Sequence, residues 1–139
     1  MRARLGLLAM FAIAAACGGG SDNPAGPDVG HVGSYTLQSV NGHSLPVVLF
    51  EGENNKFEVV AATLTLTASN AVKHDVTFRV TIEGVVQPLA PVSCPGTYQR
   101  NGSTIALAMT ATSGCEDGTF SATFTGGNTI DIEGSIYRK

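Results

Sequence analysis

The chain has 139 residues, 43% of them hydrophobic, with 8 Lys or Arg against 11 Asp or Glu and a formal charge of −3. A chain of this size makes about one domain. Its mild acidity excludes the clustered basic face that nucleic acid demands, and offers no electrostatic pull toward an anionic lipid surface.

The N-terminus opens with Arg2 and Arg4, continues through an apolar run from Leu5 to Ile13 broken only by Gly6, and reaches Ala14-Ala15-Ala16. That charge, apolar and small-residue order is that of a secretory signal. The run is too short to span a bilayer, which takes about 20 apolar residues. The ending Ala14-Ala15-Ala16-Cys17, followed directly by Gly18-Gly19-Gly20-Ser21, resembles the lipobox of bacterial lipoproteins. The resemblance implies a signal peptide over 1–16, cleavage before Cys17, acylation of its thiol, and a lipid-anchored place in the cell envelope. Gly18 after the cysteine, where Asp is absent, implies an outer-membrane destination by analogy with lipoprotein sorting. Loss of residues 1–16 leaves 6 Lys or Arg against 11 acids, a formal charge of −5. Attachment to the membrane would then come from acyl chains, of which one alone holds only marginally. Residues 18–33 carry six Gly and two Pro and little to bury, so 17–33 reads as the lipidated cysteine and a flexible linker of about 22 Å root-mean-square span. His31 lies in this linker and is expected to be solvated.

Residues 34–139 then form one domain, and alternation of apolar and polar residues marks it as strand after strand. Val76 to Glu83, Phe120 to Thr125 and Ile130 to Glu133 alternate strictly, as do Leu64 and Leu66 between threonines and Ile105, Leu107 and Met109 between alanines. Threonine suits a half-exposed pleat because its branched side chain is stiff there. Asn41-Gly42, Asn101-Gly102, Asp117-Gly118 and Gly127-Asn128 supply hairpin turns. Eight strands follow, at 34–40, 46–51, 57–68, 73–84, 94–99, 103–111, 118–125 and 128–138. With one apolar face and no helical period to cover it, the sheet closes on itself or folds over. The expected fold is all-β, an eight-stranded antiparallel up-and-down meander barrel, with a β-sandwich as the alternative. The expected inward set is Leu37, Leu64, Leu66, Phe78, Val80, Ile82, Ile105, Leu107, Met109, Phe120, Phe124, Ile130, Ile132 and Ile136. Pro88 and Pro91 make 85–93 a connection or an edge, since proline donates no ladder bond.

Apart from Cys17, the cysteines are Cys94 and Cys115. An exported, oxidising compartment predicts a disulfide between them, closing a loop of about 20 residues that stabilises the fold by about 3 kcal/mol. Neither has a His or Cys at metal-ligand spacing, so no metal and no cofactor is expected. Catalysis also fails to appear. No Gly-x-Ser-x-Gly elbow occurs, and His74 and Asp75, adjacent on a strand, point to opposite faces. The pairs Glu51/Glu53 and Asp131/Glu133 read as solvated outer-face carboxylates.

The stretch Gly33 to Pro46, GSYTLQSVNGHSLP, resembles the first-strand signature of small bacterial lipocalin-like lipoproteins: Tyr-x-Leu, then Asn-Gly, then Leu-Pro. Ala62 to Thr67, Gly96 to Tyr98, Asn101 to Ile105, Asp117 to Phe120, Asn128 to Ile130 and Tyr137-Arg138 extend it over nearly all of 33–139. The resemblance implies a calycin-type barrel and a non-catalytic protein that binds a small apolar ligand, for which the inward Phe78, Met109, Phe120 and Phe124 are the candidates. Eight strands enclose either one small ligand or a fully packed core. A packed core would instead imply a protein-interaction module, an envelope scaffold or hydrolase inhibitor, working through 41–56, with Phe50, Glu51 and Glu53, and through 85–93.

Overall fold

A computed structural model describes residues 29–126 and 128–139. The signal peptide and Cys17 lie outside the described residues. A 3-10 turn at Val29–His31 leads into eleven strands: β1 (Gly33–Val40), β2 (His43–Ser44), β3 (Val47–Glu51), β4 (Asn55–Leu66), β5 (Ala71–Ile82), β6 (Val85–Pro88), β7 (Val92–Asn101), β8 (Thr104–Met109), β9 (Gly118–Phe124), β10 (Thr129–Ile132) and β11 (Ser135–Arg138). Eight of them, in the order β1-β11-β10-β9-β8-β7-β5-β4, pair antiparallel, and β4 closes the ring on β1 with Tyr35 opposite Leu64. The fold is therefore the closed eight-stranded antiparallel barrel, with β2, β3 and β6 outside the ring.

The eight ring strands are not the eight expected ones. The strand at 46–51 pairs only with the first half of β4, Val47 opposite Val59 and Phe50 opposite Phe57, and stays off the ring. The expected strand at 128–138 is instead two strands, folded back at Glu133-Gly134 so that Ile132 faces Ser135 and Ile130 faces Tyr137. Both turn residues have positive φ, 50° and 88°. This is the two-residue turn whose twist matches a hairpin, with Glu in the place usually taken by Asn or Asp. Glu83-Gly84 makes the same turn between β5 and β6.

The core lies inside the ring. Tyr35, Leu64, Leu66, Tyr98, Ile105 and Ile130 are its largest fully buried side chains. Of the expected inward set, Leu37, Leu64, Leu66, Ile105, Leu107 and Ile130 are buried, while Phe78, Met109, Phe124 and Ile132 pack against them half-buried. Ile136 is a correction. The turn at Glu133-Gly134 resets the alternation, so Tyr137, across from the buried Leu37 and Ile130, faces inward and Ile136 faces away. Val80 and Ile82 are corrections of another kind. They keep the inward parity, but β5 has left the barrel wall there, and Ile82 is exposed.

That departure forms a flap. β4 pairs with β1 through Thr63–Leu66 and with β3 through Lys56–Val59, and the switch falls at a bulge around Val60. A bulge bends a strand and commonly sits at a barrel rim. On the other side, β5 trades β7, at Ala71–Val76, for β6, at Arg79–Ile82. The stretch with Pro88 is thus a short edge strand, with the proline at its last residue. Cys94 and Cys115 form a disulfide that ties the start of β7 to the β8–β9 loop.

The two ends of the barrel differ. At one, the 3-10 turn plugs the bore, and His31 is the plug rather than a solvated linker residue. Tyr35 Oη donates to the His31 carbonyl at 2.7 Å, and Lys139 Nζ donates to the Gly30 and Val32 carbonyls at 3.1 and 2.6 Å. Tyr98 Oη spends its hydrogen on the Thr67 carbonyl at 2.6 Å, so it accepts from His31 Nε2 at 3.0 Å. His31 Nδ1 then accepts from Arg100 Nη1, also at 3.0 Å. Phe124 packs here, its ring 6.2 Å from Tyr35 and under Arg100 at 5.1 Å.

Candidate functional site

The opposite end, from which the flap rises, is open. Between β4, β5, β8, β9 and the β10–β11 hairpin lies a cavity of about 250 Å³. Its apolar wall comes from Leu64, Leu107, Met109, Phe120 and Ile132, and its polar groups from His74, Glu133, Ser135 and Tyr137. Strand parity explains the wall. Leu107 pairs with Phe120, and Leu64 with His74, so each couple shares the inner face. Phe120 keeps 38% of its surface exposed.

The polar end is made by two residues 63 positions apart. His74 Nε2 lies 2.9 Å from Tyr137 Oη, and the rings meet edge to face at 5.8 Å. Burial lowers the His74 pKa below the usual imidazole value, with Asp75 opposing the shift. Burial also raises the Tyr137 phenol to about 12. Both rings are therefore neutral at neutral pH. Asp75 points away, as expected from adjacent positions on a strand, and pairs with Lys73 at 3.0 Å. Glu133 stands at the cavity rim on the tight turn that brings Tyr137 inward.

Of the four apolar candidates, the structure brings Met109 and Phe120 together in this cavity. Phe124 belongs to the plug at the other end, and Phe78 stacks on Phe57 at 4.9 Å at the base of the flap. Sequence reasoning missed Tyr137 because it carried the alternation of Ile130 and Ile132 unbroken to Ile136. The signal that would have found it is Glu133-Gly134 itself, a hairpin dipeptide between alternating residues.

The flap is the second unusual surface. Among the described residues, seven of the eight large apolar side chains left exposed lie on it or just beyond: Val48, Leu49, Phe50, Ile82, Val85, Val86 and Leu89. The other is Phe120. On the flap, Glu58 is covered by the arms of its partners, Arg79 Nε at 2.7 Å and Lys56 Nζ at 3.0 Å. Their hydrogen bonds, that of Arg79 first, hold its carboxyl down at about 2. Glu51 and Glu53 are exposed beside this flap. No group of His, Cys, Asp or Glu that could hold a metal occurs among the described residues. Compared with known protein families, curated proteins and solved structures, the chain matches none of them.

Proposed function

We propose that this chain is a non-catalytic, lipid-anchored protein of the bacterial cell envelope, held in the outer membrane through acylated Cys17, whose barrel binds a small apolar molecule. The observation that carries the binding reading is the open cavity of about 250 Å³, walled by Leu64, Leu107, Met109, Phe120 and Ile132. A mostly apolar pocket with a few convergent polar groups is the form that small-molecule sites take. The anchor rests on the Ala14-Ala15-Ala16-Cys17 ending and the glycines after it. The geometry accords with both parts. The chain enters the barrel at the plugged end, where Gly30 and His31 are fastened, so the cavity opens at the end away from the tether.

A native mass spectrum of the protein purified from the envelope tests the binding reading. A low-mass adduct that is lost on denaturation supports it, and a bare mass on repeated preparations overturns it. The anchor is tested by Cys17→Ser, which should move the protein from the membrane to the soluble fraction with its barrel intact.

One observation favours a second reading, a protein-interaction module. The two segments expected to act in that role, 41–56 and 85–93, supply the two edge strands of one flap and carry six of its seven exposed apolar side chains. Crosslinking from a photoreactive residue at Phe50 to an envelope protein, together with a bare mass, would select this reading over the first.

A further inference from the structure

The polar end of the cavity narrows the class of ligand, an inference that rests on the binding reading above. The neutral His74–Tyr137 pair has two arrangements of its protons. Either the phenol donates to Nε2, leaving Nδ1–H as a donor and the phenol oxygen as an acceptor, or Nε2–H donates to the phenol oxygen, leaving O–H as the donor and Nδ1 as the acceptor. In both, the pair has one donor and one acceptor left to offer. The remaining polar lining is the Ser135 hydroxyl and the Glu133 carboxylate at the rim, and no Lys or Arg lines the cavity. A carboxylate ligand would meet Glu133 with no cation to offset it and would bring no hydrogen to donate. A protonated amine would bring no acceptor. A hydroxyl brings both.

An apolar cavity of about 150 Å³ holds benzene, so this one, of about 250 Å³, takes an apolar body of about ten non-hydrogen atoms by the same proportion. We propose that the cavity binds a small uncharged alcohol or phenol, its ring or chain against Leu107, Met109 and Phe120 and its hydroxyl on the His74–Tyr137 pair.

The test compares three probes of one shape, 2-naphthol, naphthalene and 2-naphthoate, on the full chain carrying Cys17→Ser at neutral pH. Ring fluorescence of the probe is readable because the chain has no Trp. The expected order is 2-naphthol tightest, ahead of naphthalene by about three- to tenfold, the worth of one neutral hydrogen bond, with 2-naphthoate weakest. Tyr137→Phe, which keeps the ring, and His74→Leu, which keeps a comparable volume, should each bring 2-naphthol down toward naphthalene while naphthalene still binds. Glu133→Gln should raise the affinity for 2-naphthoate. Equal binding of naphthol and naphthalene, or tightest binding of the naphthoate, overturns the hydroxyl assignment and leaves the cavity reading standing. If none of the three binds, the cavity reading falls with it.

Discussion

The plug at the closed end makes a quantitative prediction through Tyr98. Its ring is fully buried, and its hydroxyl joins three elements that are distant in sequence, donating to the Thr67 carbonyl and accepting from His31. Tyr98→Phe keeps the ring packing and removes both bonds. The Thr67 carbonyl retains a longer bond from the Asn70 amide at 3.2 Å, so it is not orphaned, and water can reach half-buried His31. The loss is therefore that of one strong and one partly replaceable hydrogen bond, about 1.5 kcal/mol. For a barrel of this size that lowers the melting temperature by about 6 °C. Thermal unfolding followed by circular dichroism measures it. His31→Ala should cost less in the Tyr98→Phe background than in the parent, by the one bond the two share, while its Arg100 and Phe124 contacts are lost in both. The reasoning is refuted if Tyr98→Phe melts within 1–2 °C of the parent, or if the two substitutions add in full.

Reduction of Cys94–Cys115, separated by 21 residues, should remove about 3 kcal/mol of stability, seen as a melting temperature lower by about 12 °C in the presence of a thiol; an unchanged melt would show that the β8–β9 loop needs no staple. Glu58, held down at about 2 by Arg79 and Lys56, contributes stability that is complete above the ordinary carboxyl value and is lost as pH falls through about 2. Acid titration of Glu58→Gln should accordingly show a shallower fall between those limits than the parent. His74, lowered by burial, has the opposite charge logic and the same sign. The unfolded chain binds its proton first, so stability falls as pH drops through the ordinary imidazole value. Its ring resonances in a nuclear magnetic resonance titration should move at lower pH than those of a free histidine.

The fold class was legible because a strand writes its faces every second residue. Leu64, Leu66, Ile105, Leu107 and Ile130 are buried where alternation put them. The disulfide was legible too, because only two cysteines remain once Cys17 is set aside, and the exported compartment that the lipobox resemblance implies would pair them. The binding candidates were half legible. Alternation placed Met109 and Phe120 on the inner face, but it assigns a face without a height along the bore. It therefore could not separate them from Phe124, at the plug, or Phe78, at the flap.

Local pattern thus established that these strands exist, that they have one apolar side, and that, with no helical period in 34–139 to cover that side, the sheet must close on itself or fold over. Pairing across the sheet set everything else. β4 takes β1 along Thr63–Leu66 and its hairpin neighbour β3 along Lys56–Val59, and only the first of these pairings, between segments about 30 residues apart, completes the ring. Two Glu-Gly turns, each resetting the parity of the strand after it, had similar leverage. One made the flap edge, and the other turned Tyr137 inward to meet His74 across 63 residues. A cavity between side chains is a property of such long-range registers, and no window of sequence contains one.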